Sequence, residues 1–203
     1  MKIHIDVLNL GPMDNCTYLV TRGTDALLID PAWDPNFIIH TVESRHLNMQ
    51  GILFTHGHFD HVKLSQTLLE HFHLKAYLEE KDVALAGLPT DLLHTYQGDQ
   101  HFQIGSFDVQ ILATPGHTAG CVCILIEDVL FTGDTIFPGA CGRVDLPSSN
   151  PRDMLTSLRR IAALPEDTRI FAGHSYGGRC SSTVADEKLH NPYMRNALRW
   201  EKN

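Results

Sequence analysis

Seven consecutive residues, Thr55-His56-Gly57-His58-Phe59-Asp60-His61, constrain this 203-residue chain more than any other feature. Three imidazoles and one carboxylate fall within six positions, directly after the apolar run that ends at Phe54. A buried strand running into such a turn predicts a site at a sheet edge, where open α/β sheets bind ligands. In an extended turn His56, His58 and Asp60 share one side at ~6.5 Å intervals. His61, opening the next helix, points back toward the same space. Imidazole with carboxylate suits zinc, iron or manganese rather than calcium or magnesium. The absence of Cys from the cluster argues against a closed structural zinc site.

Three more candidate ligands stand singly, each at the end of a predicted strand in a Gly-containing turn. They are His117 in Pro115-Gly116-His117-Thr118, Asp134 in Thr132-Gly133-Asp134-Thr135, and His174 in Gly173-His174-Ser175-Tyr176. Small residues beside each let the backbone approach a site closely. Taken alone, each reads as an ordinary turn residue.

Periodicity and turn chemistry predict strands at 2–9, 15–21, 25–30, 50–55, 75–78, 102–113 around a Gly105-Ser106 turn, 121–126, 129–132 and 169–172. Helices are expected at 34–47, 60–72, 81–88, 154–164 and 183–199, and an irregular surface insertion at 89–100. Strands and helices recur in two similar halves, which predicts one α/β domain over 1–203: two face-to-face sheets with helices outside. At this length and 43% hydrophobic content the core needs no disulfides. Five cysteines without a C-x-x-C pair fit a reduced, cytoplasmic setting. Sixteen Lys and Arg against 24 Asp and Glu give a net charge of -8, with no basic cluster, which disfavours nucleic acid as a partner. No run approaches the ~20 apolar residues of a membrane span.

The order H-x-H-x-D-H, then H, D and H, with T-P-G-H-T and F-T-G-D around the middle members, resembles the metallo-β-lactamase superfamily from about Asn15 to Arg195. Within it the chain is similar to glyoxalase II and to short glyoxalase II-like thioester hydrolases. Those likenesses are Gly139-Ala140-Cys141-Gly142-Arg143, Gly173-His174-Ser175-Tyr176, and Glu187 to Arg195 with its Asn191-Pro192-Tyr193-Met194-Arg195 ending.

The resemblance implies a four-layer αββα sandwich with its metal site at the sheet edge. It implies that His56, His58 and His117 hold one divalent ion, that Asp60, His61 and His174 hold a second, and that Asp134 bridges them. The ions would be zinc, with iron or manganese as alternatives, and Asp60 and Asp134 count as catalytic through them. The implied reaction is attack of a metal-bridging hydroxide on a small-molecule thioester, a glutathione conjugate in the hydroxyacylglutathione hydrolases. Asp30 is expected to buttress the ligand turn.

Arg143 and Tyr176 occupy positions that contact glutathione in that family. The bland alternatives are an Arg143–Asp145 pair and a Tyr176 packed under the last helix. Glyoxalase II carries a longer C-terminal helical segment that helps to bind glutathione. Here that segment is expected to be truncated or absent, with Arg199 and Lys202 as substitutes for its cations. The same motifs also resemble persulfide dioxygenases, which would imply one iron held by His56, His117 and Asp134. The 139–147 loop and Ser175 after His174 speak for the hydrolase instead.

Overall fold

The stretch Cys16–Arg22 has six consecutive buried residues. A strand covered on both faces belongs inside a layered stack, and its side chains divide between two cores by the two-residue period. Tyr18 and Val20 join Leu27, Ile29, Phe107, Ile124 and Phe131 in one cluster, whereas Leu19 joins Leu28, Ile52, Ile38 and Leu68 in another.

The computed structural model describes residues 2–176 and 178–200, so Lys202 lies outside the described residues. The first sheet runs in the order β1 (His4–Asn9), β2 (Cys16–Arg22), β3 (Asp25–Ile29), β4 (Asn48–Leu53), β5 (Ala76–Glu79) and β6 (Leu93–Tyr96). The second takes up β7 (Gln100–Ile104), β8 (Phe107–Ala113), β9 (Val122–Ile126), β10 (Val129–Gly133), β13 (Arg169–Ala172) and β14 (Ser181–Thr183). A small hairpin, β11 (Ile136–Phe137) with β12 (Ala140–Cys141), lies between β10 and β13 in sequence. From β3 to β6 the first sheet is parallel, which places crossover segments on its outer face.

Those segments carry α1 (Pro35–Ser44), α2 (Phe59–Val62), α3 (Ser65–Phe72) and α4 (Val83–Ala86). Over the second sheet lie α5 (Pro151–Ala162), α6 (Val184–His190) and α7 (Pro192–Arg199), where Leu158, Ile161, Val184 and Met194 meet Cys123, Leu130 and Ile170. The result is the helix, sheet, sheet, helix stack that the resemblance implied.

Three expected elements differ. The helix expected over 60–72 breaks at Lys63 and Leu64, because the Leu64 N–H donates to Ala32 O at 3.0 Å and so leaves the helical ladder. The helix expected over 183–199 breaks at Asn191, since Pro192 has no N–H to donate; the Asn191 side chain caps the second piece through Tyr193 N at 2.9 Å and Met194 N at 3.2 Å. The segment expected as an irregular insertion contains β6, which pairs in parallel with β5 and buries Leu93 and Tyr96.

At one end of the stack the two sheets are joined by main-chain hydrogen bonds. Val122 N–H donates to Thr55 O at 2.9 Å and Cys16 N–H to Gly173 O at 2.8 Å. The turns that follow β4, β8, β10 and β13 therefore meet at this seam.

Candidate metal centre

Two buried carboxylates hold the ligand turns in place. Asp30, in the left-handed region at φ 51°, accepts the Thr55 N–H at 2.8 Å, the Thr55 hydroxyl at 2.6 Å and His61 Nδ1 at 2.9 Å. Asp82 accepts the Gly57 N–H at 2.9 Å, the Gly120 N–H at 2.9 Å and the Thr118 hydroxyl at 2.6 Å. Sequence reasoning anticipated Asp30 and missed Asp82. Nothing around Lys81-Asp82-Val83 marks the latter as other than a helix residue.

The seven candidate ligands converge. Three groups of donor atoms each lie within 4.8 Å of one another: His56, His58 and His117; Asp60, His61 and His174; and His56, His61 and Asp134. Asp134 faces both of the first two groups. Its Oδ1 stands 3.4 Å from His61 Nε2 and 3.5 Å from His174 Nε2, and its Oδ2 stands 3.5 Å from His117 Nε2.

Partners on the far side of each ring assign the tautomers, because a carbonyl or carboxylate oxygen can only accept. His174 Nδ1 donates to Met13 O at 2.8 Å, His117 Nδ1 to Arg143 O at 3.0 Å, and His61 Nδ1 to Asp30. Each ring thus turns the lone pair of Nε2 inward, the arrangement found in metal-binding histidines. Two such lone pairs, on His61 and His174, face each other at 3.3 Å. Only a cation or a shared proton between them makes that approach favourable. His56 Nε2 and Asp134 Oδ1 are buried without a hydrogen-bond partner, and buried polar atoms left in that state are costly. The donor set therefore fits divalent metal ions.

Electrostatics agree. Burial opposes ionisation of Asp60, yet His174, the charge of His61 and the Asn15 amide outweigh it and hold the carboxyl at about 2. Asp134 is likewise held well below the usual carboxylate range, against its burial, by His61 and His174. Burial also works against protonation of His61 and His174, but the facing carboxylates prevail. His174 is raised to about 9, by Asp134 and Asp60, and His61 is raised as well, by Asp30 and Asp134. Burial, then neighbouring imidazoles, push His56 and His58 down.

A cleft of about 420 Å³ opens over these groups, with Met13, Phe59, Phe137 and Leu146 as apolar walls. Arg143 and Tyr176 both reach it. Arg143 forms the expected bidentate pair with Asp145, at 2.9 and 3.1 Å, on an exposed surface. Tyr176 is not under the last helix. It is half-exposed, stacks on His174 with an interplanar angle of 5° and meets Phe137 edge-on. Cys141 also lines the cleft, with its thiol raised to about 11 by burial. The late motif braces the cleft: Asn191 Nδ2 donates to Ala140 O at 2.8 Å and to Phe137 O at 3.2 Å, and Glu187 accepts the Gly139 N–H at 2.9 Å.

The sequence profile of the metallo-beta-lactamase superfamily matches residues 11–174. A protein described as a "probable polyketide biosynthesis zinc-dependent hydrolase" in Bacillus velezensis is 33% identical over 182 residues, 89% of this chain and 81% of that one. A hydroxyacylglutathione hydrolase of Haemophilus influenzae is 31% identical over 204 residues, covering 90% of this chain and 93% of its own length. The crystal structure of TTHA1623 in a di-iron-bound form superposes with a TM-score of 0.81 at 32% identity, over 93% of this chain and 99% of that one. Profile, relatives and a buried His/Asp donor set at the seam of two sheets lead to one conclusion: the chain belongs to the metallo-beta-lactamase superfamily, a family of metal-dependent hydrolases.

Proposed function

We propose that the protein is a dinuclear metal-dependent thioester hydrolase. The observation that carries this reading is the placement of Asp134, whose two oxygens face two separate donor groups across the seam. His56, His58 and His117 would hold one ion, Asp60, His61 and His174 the other, and Asp134 would touch both. Five imidazoles and two carboxylates suit zinc, with iron as the alternative. Paired divalent ions supply Lewis acidity, making water nucleophilic near neutral pH and polarising a carbonyl.

The chain's own residues favour a thioester over an amide. An amide nitrogen leaves only when protonated, whereas a thiolate, with a conjugate-acid pKa of about 8.5, leaves unaided. Among the described residues of the cleft, the donors outside the ligand set are Arg143, Tyr176 and Cys141, all poor acids at neutral pH. Burial, with Asp134 and Asp60 nearby, raises the Tyr176 phenol, Cys141 is at about 11, and guanidinium stays charged. Tyr176 offers a ring face to the substrate. Arg143 can exchange Asp145 for a substrate carboxylate at small cost, because an exposed ion pair contributes little. This supports a glutathione-type thiol on that side.

Metal analysis with a thioester assay tests the reading. Two ions per chain and thioester cleavage are expected. Asp134→Ala should lose both ions, and His117→Ala should chiefly weaken one. One iron per chain, with oxygen consumed on a glutathione persulfide, would replace this reading with a dioxygenase using His56, His117 and Asp134.

A further inference from the structure

Beside the metal cleft lies a second one of about 380 Å³. The two share Cys141, Gly142 and Arg143, so one short segment is the rim between them. Beyond the rim the walls come from the 141–144 segment, α5 and α7: Val144, Met154, Leu155, Leu158, Tyr193 and Asn196. None of these six carries a charge. Leu155 is half-buried and Tyr193 is 50% exposed, so apolar surface is left facing an open groove. Apolar surface kept open next to a reactive centre gains from an apolar ligand and loses from a charged one, which would shed its hydration without a partner.

We infer that this groove is a subsite for an extended alkyl chain attached to the thioester, so that the preferred substrates are thioesters with a long apolar arm. The inference rests on the thioester reading and adds the substrate class. Adjacency to the metal cleft names the occupant: a chain leaving the thioester over the Cys141–Arg143 rim reaches the groove directly. The wall also discriminates between the two arms of a thioester: a glutathione-type thiol can stay on the metal side at Arg143, while the groove beyond it, whose described lining holds no charged side chain, suits the uncharged arm.

Two substrate series locate the arm. One extends the acyl group of N-acetylcysteamine thioesters from acetyl to decanoyl; the other extends the thiol of acetyl thioesters from ethanethiol to decanethiol. In one series kcat/KM should rise about two- to fourfold per methylene until the groove is filled, as expected for partial to full burial of each CH₂. Leu155→Asp should flatten that rise, and Tyr193→Ala should reduce it, with melting temperature and ion content as controls for the fold. Flat profiles in both series, or a rise that Leu155→Asp leaves intact, would overturn the subsite.

Binding of the uncleavable thioether N-acetyl-S-decylcysteamine, followed by calorimetry, separates this inference from the reading beneath it. If that thioether binds the wild type and not Leu155→Asp while no thioester is cleaved, hydrolysis falls and the groove stands. If thioesters are cleaved and the thioether binds both forms equally, the groove falls alone. A change of oligomeric state in Leu155→Asp with unaltered thioether binding would make the groove a contact between copies and end the proposal.

Discussion

Asp82 Oδ2 accepts both the Thr118 hydroxyl and the Gly57 N–H, so one buried oxygen ties the turn bearing His117 to the turn bearing His56 and His58. The two turns belong to different sheets. Replacing Asp82 by Ala removes the acceptor for three donors and leaves them buried. A loss of about 3 kcal/mol is expected from orphaned partners of a charged acceptor. Chemical denaturation and ion content check it; unchanged stability with full occupancy of the ion at His56, His58 and His117 would show that the turns hold themselves.

Gly173 has no room for a side chain. A Cβ there would stand 2.6 Å from Asp134 Oδ1 and 2.7 Å from His61 Cε1, so Gly173→Ala pushes on two candidate ligands. Activity should fall by at least about tenfold, on the order of the cost of a misplaced site, with the helix content seen by circular dichroism retained. Wild-type turnover in this variant would mean that the donor positions are far more forgiving than their spacing suggests.

Protons should leave when metal enters. In the metal-free protein His174 is raised to about 9, against its burial, by Asp134 and Asp60, so it carries a proton at pH 7.5, whereas a ligand imidazole must be neutral. Zinc addition at pH 7.5 is expected to release about one proton from the facing rings of His61 and His174, read from titration heats in buffers of different ionisation enthalpy. The sign for stability follows. A raised His174 stabilises the metal-free fold fully below its ordinary 6.5, and that contribution is lost as pH rises through about 9. The melting temperature of the metal-free protein should therefore decline over this window. Zinc binding without proton release would refute the assignment of this charge.

The pair of Arg143 and Asp145 can be divided by mutation. If Arg143 takes a glutathione carboxylate, Arg143→Ala should raise KM for a glutathione thioester roughly tenfold. Asp145→Ala, which frees the guanidinium, should lower it. Both should leave the melting temperature in place, since the pair is exposed. KM rising in both variants would make the pair a structural clip of the loop.

The candidate ligands were legible in the chain because polar groups stood in places where strands and turns have no packing use for them. His56 to His61 follow an apolar run, and His117, Asp134 and His174 each follow a strand beside glycine. The layered fold was legible from strands and helices recurring in two similar halves, and the structure then divides Tyr18 and Leu19 between two cores. Asp82 was not, because its partners are main-chain N–H groups and a hydroxyl brought from 25, 36 and 38 residues away. Strand β6 was hidden for a similar reason: Leu93-His94-Thr95-Tyr96 is too short and mixed to declare itself until β5 pairs with it. The break at Asn191 was legible in the Pro192 that follows, although the helix expected over 183–199 ran past it.

The division of the donor set between two sheets also sets an order in time. His61 and His174 are 113 residues apart. At synthesis rates of about 5–20 residues per second, the four donors of the first turn leave the ribosome roughly 6–23 s before His174 does. During that interval three imidazoles and a carboxylate on one turn are free to take whichever cation binds nitrogen donors most tightly, and among divalent first-row metals that is copper. A nascent chain loaded in this way meets its later donors with the coordination shell already filled. Protein made in copper-supplemented medium should thus emerge mismetallated, whereas the same chain folded in metal-poor medium and loaded afterwards should take up zinc at both positions.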